Sequence, residues 1–326
     1  MTISALLDKC IALLTEFPLY YHYLHDHDDY EQVYQHRFND PGSYHFDFVI
    51  EGYPAFYGLP IDIQEMIDQF FIFVDQLAQR YTALSDTTKK AWLNQLMVEE
   101  IVATNTIEGV ACDSQTIQSM LNDDSNDHQP FRGLINGFNA IQNGVDIPLD
   151  KPEDIRHLYD QIMYYDVTYD HPNKRLDGSL FRKGPVYIID GYHRILHQGV
   201  LPEEKIIERM EESLHYLNDP TIDIIQRISI FHYLLSDIHP FYDGNGRIDR
   251  FISSYLLAKH IHPLVAFHLS KTILAHCHLY YSAFQICEHP YNRGDLSPFI
   301  LMMLTMLLMV LDTLDKSLSS NNPEQY

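Results

Sequence analysis

Phe299 to Leu311 is a run of 13 residues, apolar throughout except for Thr305. A helix that crosses a membrane needs about 20 such residues. The run therefore predicts a helix buried in a core or an oligomer face, and the rest of the chain must supply what covers it. What it supplies is mostly helix. Residues 3–17 place Leu6, Leu7, Ile11, Leu13 and Leu14 at helical spacing, with Asp8, Lys9 and Glu16 between them. A second helix is predicted from Ile61 to Ala83. A third runs from Thr87 to Ile107, with Ser85 or Asp86 as its N-cap and Gly109 as its stop. Further helices are expected at 132–144, 152–165, 203–217, 220–238, 247–260, 270–287 and 297–317.

Residues 22–60 break this pattern. They are rich in His, Asp, Tyr, Gly and Pro without clear periodicity, and read as irregular with one short strand at Tyr44–Ile50. Pro185–Leu196 carries the clear hairpin pattern: two apolar runs flank Asp190-Gly191, a pair suited to a type I′ turn. Residues 122–127 read as a solvated loop, and the tail 319–326 as disordered. The fold class expected is mostly α with one small β-hairpin. Residues 1–85 form an N-terminal helical or irregular extension, 86–315 the main domain, and 316–326 a disordered tail.

Twenty-two Lys and Arg stand against 45 Asp and Glu, a net charge of −23. That balance disfavours sequence-independent binding to nucleic acid or to an anionic membrane, both of which need a positive field. A site for an anion must then be built locally. The four cysteines, Cys10, Cys112, Cys277 and Cys287, are too few and too dispersed for a disulfide scaffold. The N-terminus has no basic segment ahead of an apolar one, so a cytoplasmic protein is expected. His276, Cys277 and His278 with Cys287 and His289 hold the elements of a zinc site. Their spacing matches no usual one, and a packed polar helix face is the preferred reading.

The chemistry is concentrated in His239-Pro240-Phe241-Tyr242-Asp243-Gly244-Asn245-Gly246-Arg247-Ile248-Asp249-Arg250. Pro240 cannot extend the helix before it, so His239 sits at a helix end beside a loop. Gly244 and Gly246 allow successive N–H groups to converge as an anion nest that opens into the next helix. Arg247 and Arg250, three apart, share a face of that helix and can each grip phosphate oxygens. Asp243 offers a hard oxygen for Mg²⁺. His239, with an ordinary pKa of about 6.5, can take a proton from a hydroxyl near neutrality. Phe241 is expected to anchor the loop in the core and Asp249 to be a surface charge. Together these residues point to phosphate transfer from a nucleotide to a hydroxyl, with catalysis mostly by positioning and electrostatics.

The stretch resembles the Fic family motif His-x-Phe-x-Asp-Gly-Asn-Gly-Arg-x-x-Arg, matched at every specified position by His239, Phe241, Asp243, Gly244, Asn245, Gly246, Arg247 and Arg250. The likeness extends over roughly 90–310 and implies a Fic-type helical bundle with a hairpin flap. It also implies a protein adenylyltransferase that moves AMP from ATP to a Ser, Thr or Tyr hydroxyl of a target protein. On that resemblance His239 is the base and Asp243 holds Mg²⁺. Gly244, Asn245, Gly246 and Arg247 cradle the α- and β-phosphates, and Arg250 reaches the γ-phosphate. Thr104-Asn105-Thr106-Ile107-Glu108-Gly109 is similar to the inhibitory motif of the N-terminally auto-inhibited class. Thr104 and Glu108 share a helix face, and the Glu108 carboxylate could pair with Arg250 and take the γ-phosphate's place.

The resemblance further implies that Ile188 and Ile189 belong to the flap lining the nucleotide pocket, and that Tyr280 and Asn292 lie around adenine and ribose. Partners would be ATP and a target protein, with neither nucleic acid nor membrane, and a homodimer is possible on the family pattern. The same residues admit a de-AMPylase in which Glu108 orients water, a transferase of another nucleotide or phospho-group, or an idle ATP-binding docking protein. The presence of both His239 and Asp243 argues against the last.

Overall fold

The computed structural model describes residues 2–319, apart from 26, 122–128, 170, 190, 191 and 193. The expected solvated loop at 122–127, the centre of the 190–191 turn and the tail beyond 319 lie outside these residues. The chain divides into two compact units, residues 1–92 with 275–326 and residues 93–274.

The first unit begins with α1 (Ile3–Glu16), α2 (Leu19–His25) and α3 (His27–Phe38), continues through an antiparallel hairpin, β1 (Tyr44–Ile50) and β2 (Tyr53–Tyr57), and then α4 (Ile61–Thr82). The long helix α5 (Asp86–Ile107) starts here and runs on into the second unit.

Helices at 19–38 correct the expectation of an irregular 22–60 segment. Tyr30, Tyr34 and Phe38, four apart, form an aromatic stripe among the His and Asp residues, and it packs with Leu19 on Phe56 of β2. The strand expected at Tyr44–Ile50 is present and has a partner, so the chain carries a second hairpin.

The second unit follows with α6 (Ser114–Leu121), α7 (Arg132–Gln142), α8 (Pro152–Ile162) and α9 (Tyr164–Thr168). A hairpin of β3 (Tyr187–Ile189) and β4 (Ile195–Gln198) leads to α10 (Glu203–Leu217), α11 (Ile224–Ile238) and α12 (Asn245–His260). Two short helices, α13 (Pro263–Ala266) and α14 (Leu269–Ala275), complete it, and the chain then returns to the first unit as α15 (Cys277–Cys287) and α16 (Ser297–Ser319). The hairpin pairs Ile189 with Ile195, so the connection is longer than the two-residue turn suggested by Asp190-Gly191.

Helix α16 contains the apolar run. By length and composition it could cross a membrane, yet 83% of its most apolar window is buried. It packs against α1, α4 and α15. Helix α4 answers with Ile63, Met66, Ile67, Phe70, Phe73, Val74 and Leu77, all buried at steps of three and one. In the second unit, α12 lies against α11, α7 and α13, and α11 against α10. The face-to-face packing of α11 and α12 fixes the loop between them, residues 239–244.

Candidate active site

Helix α11 starts at Asp223, whose side chain caps it by accepting from the Ile225 N–H at 2.8 Å. It ends at His239, which takes a left-handed conformation (φ 52°) while its N–H still donates to Leu235 O at 3.0 Å. A non-glycine residue in that region is strained by about 1 kcal/mol or more. The cause of the turn is Pro240, which disfavours continued helix at the residue before it.

Phe241 then plunges into the core. It is fully buried, stacked on Tyr159 at 3.7 Å and edge-on to Phe181 at 5.7 Å, as an anchor should be. The Asn245 side chain staples the bend: its Oδ1 accepts from Phe241 N–H at 3.0 Å and its Nδ2 donates to Phe241 O at 2.9 Å. Gly244 supplies the positive φ (81°) that lets the loop enter α12.

A buried arginine absent from the sequence reasoning holds this bend in place. The Arg182 guanidinium, fully buried, donates to the carbonyls of His239 (2.7 Å), Gly184 (2.7 Å), Val200 (3.0 Å) and Ile238 (3.3 Å). Its own N–H donates to Pro240 O at 3.2 Å. Burial lowers its pKa from the ordinary arginine value. Arg182→Met should strand these carbonyls and lower unfolding stability by about 3 kcal/mol. Urea denaturation of the two proteins measures this; an unchanged midpoint would mean that the clamp contributes nothing.

His239 Nδ1 lies 3.3 Å from Ser236 O. A carbonyl oxygen only accepts, so the proton belongs on Nδ1, leaving Nε2 as the basic nitrogen. Burial pushes the His239 pKa down to about 4, against a smaller upward pull from the Ser236 carbonyl. The imidazole is therefore neutral at physiological pH, the form a base requires.

Beneath it, Asp249 corrects the expectation of a surface charge. It is fully buried, accepts from Ser236 Oγ at 2.7 Å, and lies 3.2 Å from His232 Nδ1. Burial drives the Asp249 carboxyl well above its ordinary range and His232 down to about 3. The Ser236 hydroxyl bond to Asp249 ties α11 to α12 at this point.

The start of α12 is occupied from within the chain. Glu108 Oε1 accepts from Arg250 Nη2 at 2.7 Å and lies so close to Gly246 that a Cβ there would collide with it. Gly246 is thus the residue type that lets a carboxylate approach the helix N-terminus. Arg250 is held further by Thr104, its Nε donating to Oγ1 at 2.8 Å and its Nη2 to the backbone oxygen at 3.1 Å. Arg247 reaches Asn105 Oδ1 at 3.5 Å and Asp243 Oδ1 at 3.4 Å. Its buried Nε has no hydrogen-bond partner among the described residues. That nitrogen, beside a helix N-terminus, has a donor to offer an anion.

Two neighbours of Thr104 in sequence fasten α5 in this position. Glu100, fully buried, accepts from Ser270 N–H at 2.8 Å and from Ser254 Oγ at 3.3 Å, and Glu99 pairs with Lys271 at 2.8 Å.

Asp243 is half-buried. Burial acts to raise its pKa, but Lys174 and Arg247 outweigh it and hold the carboxyl below its usual range. One ionised carboxylate beside an anion nest is a donor set that Mg²⁺ accepts when phosphates and water complete its shell. Asp243 could therefore hold such an ion.

Ile188 and Ile189 are exposed in β3, on the hairpin where they were expected. Tyr280 and Asn292 belong to the first unit. Tyr280 is buried in α15 with its ring edge-on to Phe284 at 5.2 Å, and Asn292 Nδ2 donates to Asp295 O at 2.6 Å, closing its own turn. Lys174 and Arg182 escaped the sequence reading, since a single basic residue carries no signal until the fold places it.

A helix end carrying the His239 imidazole, the Gly244 entry to α12 and the buried Arg247 and Arg250 of that helix lie along one helix–loop–helix segment, with groups of the kind that can hold phosphate. Residues 148–257 match the Fic/DOC family model. The chain is 34% identical over 100 residues to "Protein adenylyltransferase fic-1" of Caenorhabditis elegans, which covers 30% of this chain and 18% of that protein. It is 25% identical over 246 residues to "Protein adenylyltransferase Fic" of Aedes aegypti, covering 73% of this chain and 46% of that protein. The chain thus spans less than half the length of these curated relatives. Its fold is shared with a Fic family protein from Desulfovibrio desulfuricans at a TM-score of 0.60 and 20% identity, over 78% of this chain and 74% of that one.

Proposed function

We propose that this protein transfers AMP from ATP to a hydroxyl of a target protein, and that Glu108 restrains it. The observation that carries this is the Glu108 carboxylate, which meets Arg250 at 2.7 Å and lies against Gly246. A carboxylate there takes the position of a phosphate: same charge sign, same guanidinium, same helix N-terminus.

Nucleotide binding requires the carboxylate to withdraw. Arg250 and the nest then hold the outer phosphates, and the unpartnered Nε of Arg247 gains an acceptor. With the phosphates positioned, His239 Nε2 takes the proton of the incoming hydroxyl as its oxygen attacks the α-phosphorus. The bond to the β-phosphate oxygen breaks and pyrophosphate leaves, its charge met by Arg247 and Arg250. Asp243 would hold Mg²⁺, which when bound neutralises phosphate charge. The exposed β3 strand with Ile188 and Ile189 could pair with an extended target segment.

The test is mass spectrometry of lysate proteins treated with the Glu108→Gly variant and ATP. An added AMP on Ser, Thr or Tyr supports the proposal. AMP removed by the unaltered protein, with none added by the variant, would favour hydrolysis with Glu108 orienting water. ATP bound by neither protein would refute both.

A further inference from the structure

Asp243 is already engaged. The Lys174 ammonium, from the 3₁₀ turn Pro172–Lys174, lies on Oδ2 as a close ion pair. Arg247 Nη2 stands 3.4 Å from Oδ1, and the Gly244 N–H donates to Oδ1 at 2.5 Å. An ammonium and a divalent cation held on the same carboxylate oxygen repel each other, so each weakens the other's hold on it.

Lys174 keeps 33% of its side chain exposed, and Asp243 is its one ionic partner among the described residues. Its four-carbon stem can redirect the charge without moving the turn. Three cations, Lys174, Arg247 and Arg250, thus face two carboxylates, Asp243 and Glu108. Once Glu108 has withdrawn and Asp243 has turned to a metal, the lysine would stand unpaired beside a site that takes several negative charges.

We propose that Lys174 occupies Asp243 Oδ2 in the resting protein, gives it up to a divalent cation, and then binds a phosphate oxygen of the nucleotide. Lys174 is in this way both a stand-in for the cation and a third basic ligand of the phosphates. Its role presupposes the nucleotide site proposed above. The consequence is reciprocal: removing the ammonium makes the bare protein a better metal binder and a worse binder of metal-free triphosphate.

The experiment uses the full chain carrying Glu108→Gly, so that Glu108 masks neither arm, with Lys174 intact or changed to Met or Arg. Mn²⁺ alone is titrated and free Mn²⁺ is read by electron paramagnetic resonance; ATP in excess EDTA is titrated by calorimetry. Lys174→Met should bind Mn²⁺ about tenfold more tightly and metal-free ATP about tenfold more weakly. Lys174→Arg should keep ATP affinity within a few-fold of the parent.

Unchanged Mn²⁺ affinity in Lys174→Met overturns the proposal, whatever ATP does. Tighter Mn²⁺ with unchanged ATP affinity overturns the phosphate contact. A parent that binds ATP neither in EDTA nor with Mg²⁺ refutes the nucleotide site itself, and that failure is distinct because the Mn²⁺ arm is read without nucleotide.

Discussion

Replacing His239 by Ala should lower AMP transfer by 10²- to 10⁴-fold while leaving ATP affinity within a few-fold, the range general-base catalysis supplies. The separation follows from the geometry. The imidazole hangs from the end of α11, and the groups fit to hold phosphate come from α12 and its entry loop. Steady-state labelling with radioactive ATP, set beside calorimetric ATP titration, reads both quantities. Equal losses in binding and rate would place His239 among the phosphate ligands instead.

The pH profile adds an independent check. Burial lowers the His239 pKa to about 4. The imidazole is therefore charged only below that value, and the acid limb of the rate should fall near pH 4 rather than near 6.5. Stability runs with the same sign. In the window from about 6.5 down to 4 the unfolded state binds the proton and the folded state does not, so His239 makes stability rise with pH across it. His232, lowered to about 3, acts in the same direction.

Replacing Glu108 by Gly should raise AMP transfer by roughly 10- to 100-fold. A charge-assisted hydrogen bond is worth about 1.5–3 kcal/mol, and every 1.4 kcal/mol is about tenfold. The 30% exposure of the Glu108 side chain argues for the lower half of that range. Glu108→Gln should fall between, since an amide can still accept from Arg250 but has lost its charge. The gain should vanish when Arg250→Ala is added, because the guanidinium that Glu108 blocks is also the one proposed to reach the nucleotide. A Glu108→Gly variant no faster than the unaltered protein would remove restraint from the account.

The site was legible because most of it is local. His239 through Arg250 are contiguous, and the backbone chemistry of Pro240, Gly244 and Gly246 fixes how their neighbours point. Thr104 and Glu108 were legible for a similar reason, since helical spacing puts them on one face. What stayed hidden depends on the fold. Arg182 and Lys174 are single basic residues far along the chain from the carbonyls and the carboxylate they meet. Asp249 looked like a surface charge because the groups that accompany its burial, the Ser236 hydroxyl and His232, lie on another helix and are not visible in the residues beside it. The helices at 19–38 were missed because the stripe of Tyr30, Tyr34 and Phe38 is diluted by polar neighbours and gains its packing partner only at Phe56.

The most direct measurement is calorimetric titration of ATP with Mg²⁺ into the unaltered protein and into Glu108→Gly. If the carboxylate stands where a phosphate belongs, affinity rises by about tenfold or more in the variant. Identical affinities in the two proteins would show that Glu108 and the nucleotide do not compete, and the central claim would fall.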